Sequence, residues 1–118
     1  MGHIYALVKA MGSKKSKILK MLVDTGSTYS MIDPKTADEI GVAKLPYKVP
    51  TTYANRTKEE LDAGAVIVEM FDRRAVATLL IRECDEPLLG AETLEALGLR
   101  VDPATGRIEP SRSYAVRA

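Results

Sequence analysis

The residues that could carry chemistry in this 118-residue chain gather in one short stretch, Met21-Leu22-Val23-Asp24-Thr25-Gly26-Ser27. A carboxylate at the end of an apolar run is unusual, because burying it is costly unless donors surround it or it holds a proton. The residues after Asp24 answer that need. Gly26 has no side chain, so the backbone can approach the acid closely and offer N–H groups. Thr25 and Ser27 add hydroxyls that donate hydrogen bonds or tie the loop down. The chemistry indicated is acid–base work by a carboxyl group in a defined environment. A plain turn is the alternative. An Asp-Thr-Gly triplet arises by chance in a chain this long on the order of 2% of the time, and apolar residues before it and Ser after it lower that by roughly tenfold or more.

Other reactive side chains give less. His3 is the only histidine and stands near a terminus, which argues against a Ser-His-Asp triad or a His-rich zinc site. Cys84, the only cysteine, precedes Asp85 and Glu86, which raise a thiol's pKa, so it reads as an incidental thiol and not a nucleophile. It cannot form an internal disulfide, and nothing indicates an oxidising compartment. No Gly-rich phosphate loop is present, which excludes that route to nucleotide hydrolysis. With 17 basic and 16 acidic side chains the net charge is +1, whereas dedicated nucleic-acid binders carry a basic excess. Lys14, Lys15, Lys17 and Lys20 read as a solvated hairpin tip that guards an edge. No cofactor or metal is implied.

The elements that must position Asp24 follow from patterning. The length fits a single domain spanning 1–118, and 46% apolar with 28% charged residues is ordinary globular composition. His3 to Met11 and Lys17 to Val23 form a β-hairpin around the polar turn Gly12–Ser16. A short helix follows, capped by Asp33, opened by Pro34 and closed at Gly41, with Ala37 and Ile40 facing inward. Lys44 to Tyr53 is extended, and Pro46 and Pro50 confine it to an edge or loop. Thr57-Lys58-Glu59-Glu60-Leu61 reads equally as a helical turn or as one arm of an exposed hairpin. Ala65–Met70 and Ala75–Ile81 are strands joined by the turn Phe71-Asp72-Arg73-Arg74. After Leu88-Leu89-Gly90, a helix runs from Ala91 to Leu97 and ends at Gly98. A last hairpin has Leu99 and Val101 on one arm and Ile108 on the other. Apolar strand, glycine, helix, glycine and apolar strand occur twice, which suggests two related halves. The class is mainly β.

Leu22-Val23-Asp24-Thr25-Gly26-Ser27, with Ile32 a few residues on, resembles the active-site signature of aspartic proteases. The single-lobe length points to the retropepsin-like branch, and Leu88-Leu89-Gly90 before a helix resembles that family's apolar-apolar-Gly element. The resemblance extends loosely over residues 4 to 101. It implies a single-lobe, closed, mainly β fold with one or two short helices, and an aspartic endopeptidase acting on peptide bonds. One Asp-Thr-Gly per chain then implies a symmetric homodimer, each subunit giving one Asp24 at the twofold axis. Two carboxylates about 3 Å apart repel by roughly 5 kcal/mol at an effective dielectric near 20, so the pair keeps one proton: the charged member activates water and the protonated one polarises the carbonyl. Thr25 would bond across the dimer, Gly26 would lie beside the substrate backbone, and the Ser27 hydroxyl would favour the charged acid. An acidic optimum follows.

Two departures from the viral pattern stand out. The charged pair that viral members place two residues after the motif glycine and after the apolar-apolar-Gly element is replaced by Thr28 and Ala91, so residues 99–118, with Tyr114 and Val116 as anchors, would hold the dimer. The flap, roughly Val49 to Gly64, has no glycine before Gly64, and its candidate substrate contacts are Tyr53, Ala54, Asn55 and Arg56. The partner implied is an extended or unfolded polypeptide lying in the cleft as an added strand, with apolar side-chain pockets. The alternative is a catalytically silent peptide-binding module of the same fold. No apolar run is long enough to span a bilayer, and the amino end lacks a signal-peptide profile, so a cytoplasmic protein without membrane or nucleic-acid partners is expected. The absence of Gln and the single Asn, Asn55, suggest a heat-loving source.

Overall fold

Alternating side chains build the first hairpin. In β1 (Tyr5–Met11), Ala6, Val8 and Ala10 turn inward while Tyr5 and Leu7 face out, and β2 (Ser16–Val23) answers with Leu19 and Met21. The computed structural model describes residues 3–115. After β2 the chain continues through β3 (Ser30–Ile32), α1 (Pro34–Ile40), β4 (Ala43–Thr52), β5 (Lys58–Met70) and β6 (Arg73–Ile81). Then come β7 (Leu88–Leu89), α2 (Ala91–Leu97), β8 (Leu99–Val101) and β9 (Ile108–Pro110). The fold is mainly β. Seven strands form one sheet in the order β1-β2-β7-β3-β6-β5-β4, with β1 also pairing β5, and β8 and β9 form a separate pair.

Side-chain capping sets the start of α1, and a left-handed glycine ends each helix. Asp33 accepts from the Thr36 N–H and hydroxyl at the start of α1, Pro34 takes the first helical position, and Gly41 leaves the helix at φ 78°. Helix α2 ends at Gly98 with φ 70°. Left-handed backbone of this kind suits glycine because it has no Cβ to clash.

The two halves suggested by the sequence are laid out twice in space. A hairpin (β1–β2 or β5–β6), a loop, a short strand (β3 or β7) and a helix recur in the same order. Each short strand pairs in parallel with the hairpin strand of the other half: β3 with β6 and β7 with β2. The short strands meet each other at Met31 and Leu88. The halves are therefore interlocked.

Residues 58–70 form one continuous strand. The stretch Thr57–Leu61 is thus the arm of a hairpin and not a helical turn, although Lys and Glu favour helix locally; pairing with β4 overrides that preference. Strand β5 serves two clusters. Leu61 and Ala63 join Met31 and Leu80, whereas Val66, Val68 and Met70 face the main core on the opposite side. The change of face falls at Gly64, where a Cβ would run into the Val42 side chain and the Ala43 carbonyl. Strand β4 absorbs the mismatch with a bulge between Lys44 and Lys48, which houses Pro46. The turn between β5 and β6 is tighter than expected: Met70 pairs with Arg73, leaving only Phe71 and Asp72, both at positive φ (53° and 58°). Two left-handed residues match the twist of a two-residue hairpin, so Arg73 and Arg74 belong to the strand.

Residues 111–115 fold back on the rest of the chain. The Tyr114 hydroxyl accepts from the Arg74 N–H at 2.7 Å and donates to the Arg74 carbonyl at 3.0 Å, and Arg73 donates to the Leu97, Gly98 and Arg112 carbonyls. The Tyr114 hydroxyl is thus engaged within the chain while its ring stays exposed, and Val116 lies outside the described residues. No helix among the described residues is long and apolar enough to cross a membrane.

Candidate active site

Strand β2 delivers Asp24. Its last residues pair in parallel with β7, Leu22 with Leu88 and Val23 with Leu89. The Leu22 amide donates to the Pro87 carbonyl and the Asp24 amide to the Leu89 carbonyl, both at 2.9 Å. The acid therefore emerges from a strand fixed on both sides, since Val23 also donates to the Ile4 carbonyl.

The loop after Asp24 folds onto its carboxylate. The Gly26 N–H donates to Oδ1 at 3.1 Å and the Ser27 hydroxyl to Oδ2 at 3.0 Å. A turn closes beneath them, the Ser27 N–H donating to the Asp24 carbonyl at 3.1 Å. A Cβ on Gly26 would sit 3.3 Å from Oδ1, a close contact that would crowd the carboxylate. Thr25 is exposed.

The apolar-apolar-Gly element supports this loop from below. The Ala91 and Glu92 amides donate to the Ser27 and Thr28 carbonyls at 2.8 Å, and the Gly90 amide donates to Ser30 Oγ at 3.0 Å. Ser30 and Thr93, both fully buried, share a 2.6 Å hydrogen bond between their hydroxyls. At Gly90 a Cβ would lie 2.5 Å from the Tyr29 carbonyl carbon and oxygen. Leu88 faces the groove described next, while Leu89 and Gly90 are buried beneath it. Sequence reasoning missed Ser30 and Thr93, because their role depends on two chain segments that meet only in the fold.

Asp24 lies in a groove of about 1230 Å³. Gly26, Ser27 and Thr28 share its floor, and the β4–β5 hairpin borders it from Val49 to Thr57. Of the four candidate flap contacts, Tyr53, Ala54 and Asn55 line the groove; Arg56, at the turn with φ 68°, does not. Met31, Val49, Leu80 and Leu88 make part of the lining apolar, as expected. The rest of the lining differs from that expectation: Arg82, Glu83, Asp85 and Glu86 make it strongly charged.

Titration behaviour fits these surroundings. Burial pushes the Cys84 thiol up, and Asp33, Glu83 and Asp85 add to the effect, so the groove's one cysteine is held as an unreactive thiol. Burial likewise raises Tyr53, with the hydrogen bond to Glu59 acting the same way, which keeps its hydroxyl a donor. Glu92 is raised by burial and by Glu95, against the opposing Thr78 N–H.

An aspartyl protease family model matches residues 10–93. The chain belongs to the aspartyl protease family. Among solved structures, this chain is similar to the EIAV protease complexed with the inhibitor HBY-793, with a TM-score of 0.66. The match covers 82% of this chain and 89% of that one at 17% identity, so the shared feature is the retropepsin-like fold. No curated protein sequence matches this chain significantly.

Proposed function

We propose that this protein is an aspartic endopeptidase that works as a homodimer, with residues 1–118 forming one domain. The observation that carries the reading is the setting of Asp24: a carboxylate with one donor on each oxygen, on the floor of an open groove beside a projecting hairpin. One such acid per chain is half of a dyad. A second subunit related by a twofold axis supplies the other.

In that pair a single proton is shared. The ionised carboxylate, held in place by the Gly26 and Ser27 donors, takes a proton from water. The water oxygen then attacks the peptide carbonyl, while the protonated partner donates to the carbonyl oxygen. Collapse of the tetrahedral intermediate breaks the C–N bond as the amine receives a proton from the dyad. An extended peptide lies along the groove with its backbone paired to the hairpin. Gly26 leaves room for that backbone, and the exposed Thr25 is free to bond across the axis.

The test is cleavage of denatured casein by the purified protein beside Asp24→Asn. Loss of cleavage by at least a thousandfold in the variant, with unchanged folding, is expected from removal of a group acting only in the transition state. The wild-type activity should peak at acidic pH, because full ionisation of the dyad at higher pH removes the proton donor. Equal cleavage by both proteins, or an optimum above neutrality, would contradict the assignment. Peptide binding by wild type without turnover would instead mark a catalytically silent module.

A further inference from the structure

The hairpin beside the groove overhangs the sheet. Strand β5 pairs with β6 only as far as Asp62, opposite Ile81; beyond it, toward the tip, β5 has only β4 as a neighbour. Two short strands projecting together hold no direction of their own, since an isolated hairpin is marginally stable in water. Something at the fork must set their angle to the body.

Arg82 stands at that fork. It is the first residue after β6, and its amide is fixed by the Ile32 carbonyl at 3.0 Å. Its guanidinium lies over the Tyr53 ring, 4.5 Å from the centroid, and its Nε reaches Glu59 Oε1 at 3.0 Å. The Tyr53 hydroxyl donates to the same Oε1 at 2.7 Å. Tyr53 and Glu59 stand on the two arms just behind the turn, so one side chain of the body grips both arms at once. Arg82 and Tyr53 also line the groove that holds Asp24.

We propose that Arg82 is a positioning residue that clamps the hairpin of its own subunit over the groove and so sets how tightly peptide is held. This rests on the peptidase reading for its kinetic consequence, but not for the clamp itself. Every contact is at the surface, with the Arg82 and Glu59 side chains 44% and 45% exposed. The clamp is therefore modest and salt-sensitive. It orients the hairpin without making it rigid. Arginine is the suitable residue, because a planar guanidinium stacks on a ring while its edge pairs with a carboxylate, and a lysine ammonium cannot do both.

The experiment compares wild type with Arg82→Ala, Arg82→Lys and Glu59→Gln by amide hydrogen exchange and by peptide kinetics. Arg82→Ala should speed exchange over residues 52–60 by roughly three- to tenfold while leaving β1 and the core half of β5 unchanged. KM should rise about threefold or more, with kcat within about twofold. Arg82→Lys should fall between, and Glu59→Gln combined with Arg82→Ala should add little to the latter alone. Unaltered hairpin exchange in Arg82→Ala overturns the clamp, and faster exchange with an unmoved KM overturns its role in holding peptide. If wild type cleaves nothing, the peptidase reading fails by itself, and the exchange measurement still decides the clamp.

Discussion

Gly90 has no side chain, and the space a methyl would need is already filled by the Tyr29 carbonyl and, at 3.0 Å, the Ser27 carbonyl. These are backbone atoms of the loop that carries Asp24, so they cannot rotate away. Gly90→Ala should push that loop outward, abolish activity and cost about 1–3 kcal/mol through overpacking, read from a urea unfolding curve beside a cleavage assay; an active, equally stable variant would contradict the packing. A second residue-scale expectation concerns Glu92. Its carboxyl is raised in the folded state by burial, so the folded protein favours the protonated form. That stabilising preference is present at low pH and lost as pH rises through the raised value. Glu92→Gln keeps an acceptor for the Thr78 N–H and removes the charge, so it should unfold at higher urea than wild type near neutrality. The advantage should shrink on acidification into the carboxylate range, and a constant difference across pH would refute it.

The flap shows most clearly what an element needs and what the sequence reveals of it. Its turn has the Tyr53 N–H donating to the Thr57 carbonyl, the Arg56 N–H to the Tyr53 carbonyl and the Thr57 N–H to Asn55 Oδ1. Arg56 occupies the left-handed position with φ 68°, where an L-residue is strained. Arg56→Gly should raise stability by about 0.5–1 kcal/mol net, the relief of strain exceeding the added chain entropy. KM should not move, since Arg56 does not line the groove; a lower midpoint of chemical denaturation would count against the turn geometry. The hairpin's place was legible but its turn was not, because no glycine marks the tip and Asn55 and a strained Arg56 do the work glycine usually does. By contrast, α1 was legible to the residue: Asp33, Pro34 and Gly41 act within one helical turn of where they stand. Strand β5 was not. Its apolar positions change face at Gly64, so neither a period of two nor of 3.6 runs through it, and the reason lies in two clusters that only the fold creates.

For the molecule as a whole, Asp24 and the apolar-apolar-Gly element were readable as motifs, but their hydrogen-bonded union and the charged groove wall were not, because each depends on segments far apart in the chain. The same view sets an expectation for assembly. If two copies of Asp24 form one centre, specific activity should fall on dilution once the dimer dissociates. Mixing wild type with excess Asp24→Asn should inhibit through inactive mixed pairs. Sedimentation run beside the assay checks this, and activity persisting in demonstrated monomers would rule the dyad out.

The interlocking of the two halves bears on when such a centre can exist. The amides of Leu22 and Asp24 have their acceptors at Pro87 and Leu89, and the Asp24 loop is tied down by the amides of Ala91 and Glu92. A nascent chain still short of those residues on the ribosome carries the acid and its own loop but lacks the second half of the scaffold that aims it. Synthesis must therefore pass Glu92 before Asp24 can be held in its folded setting.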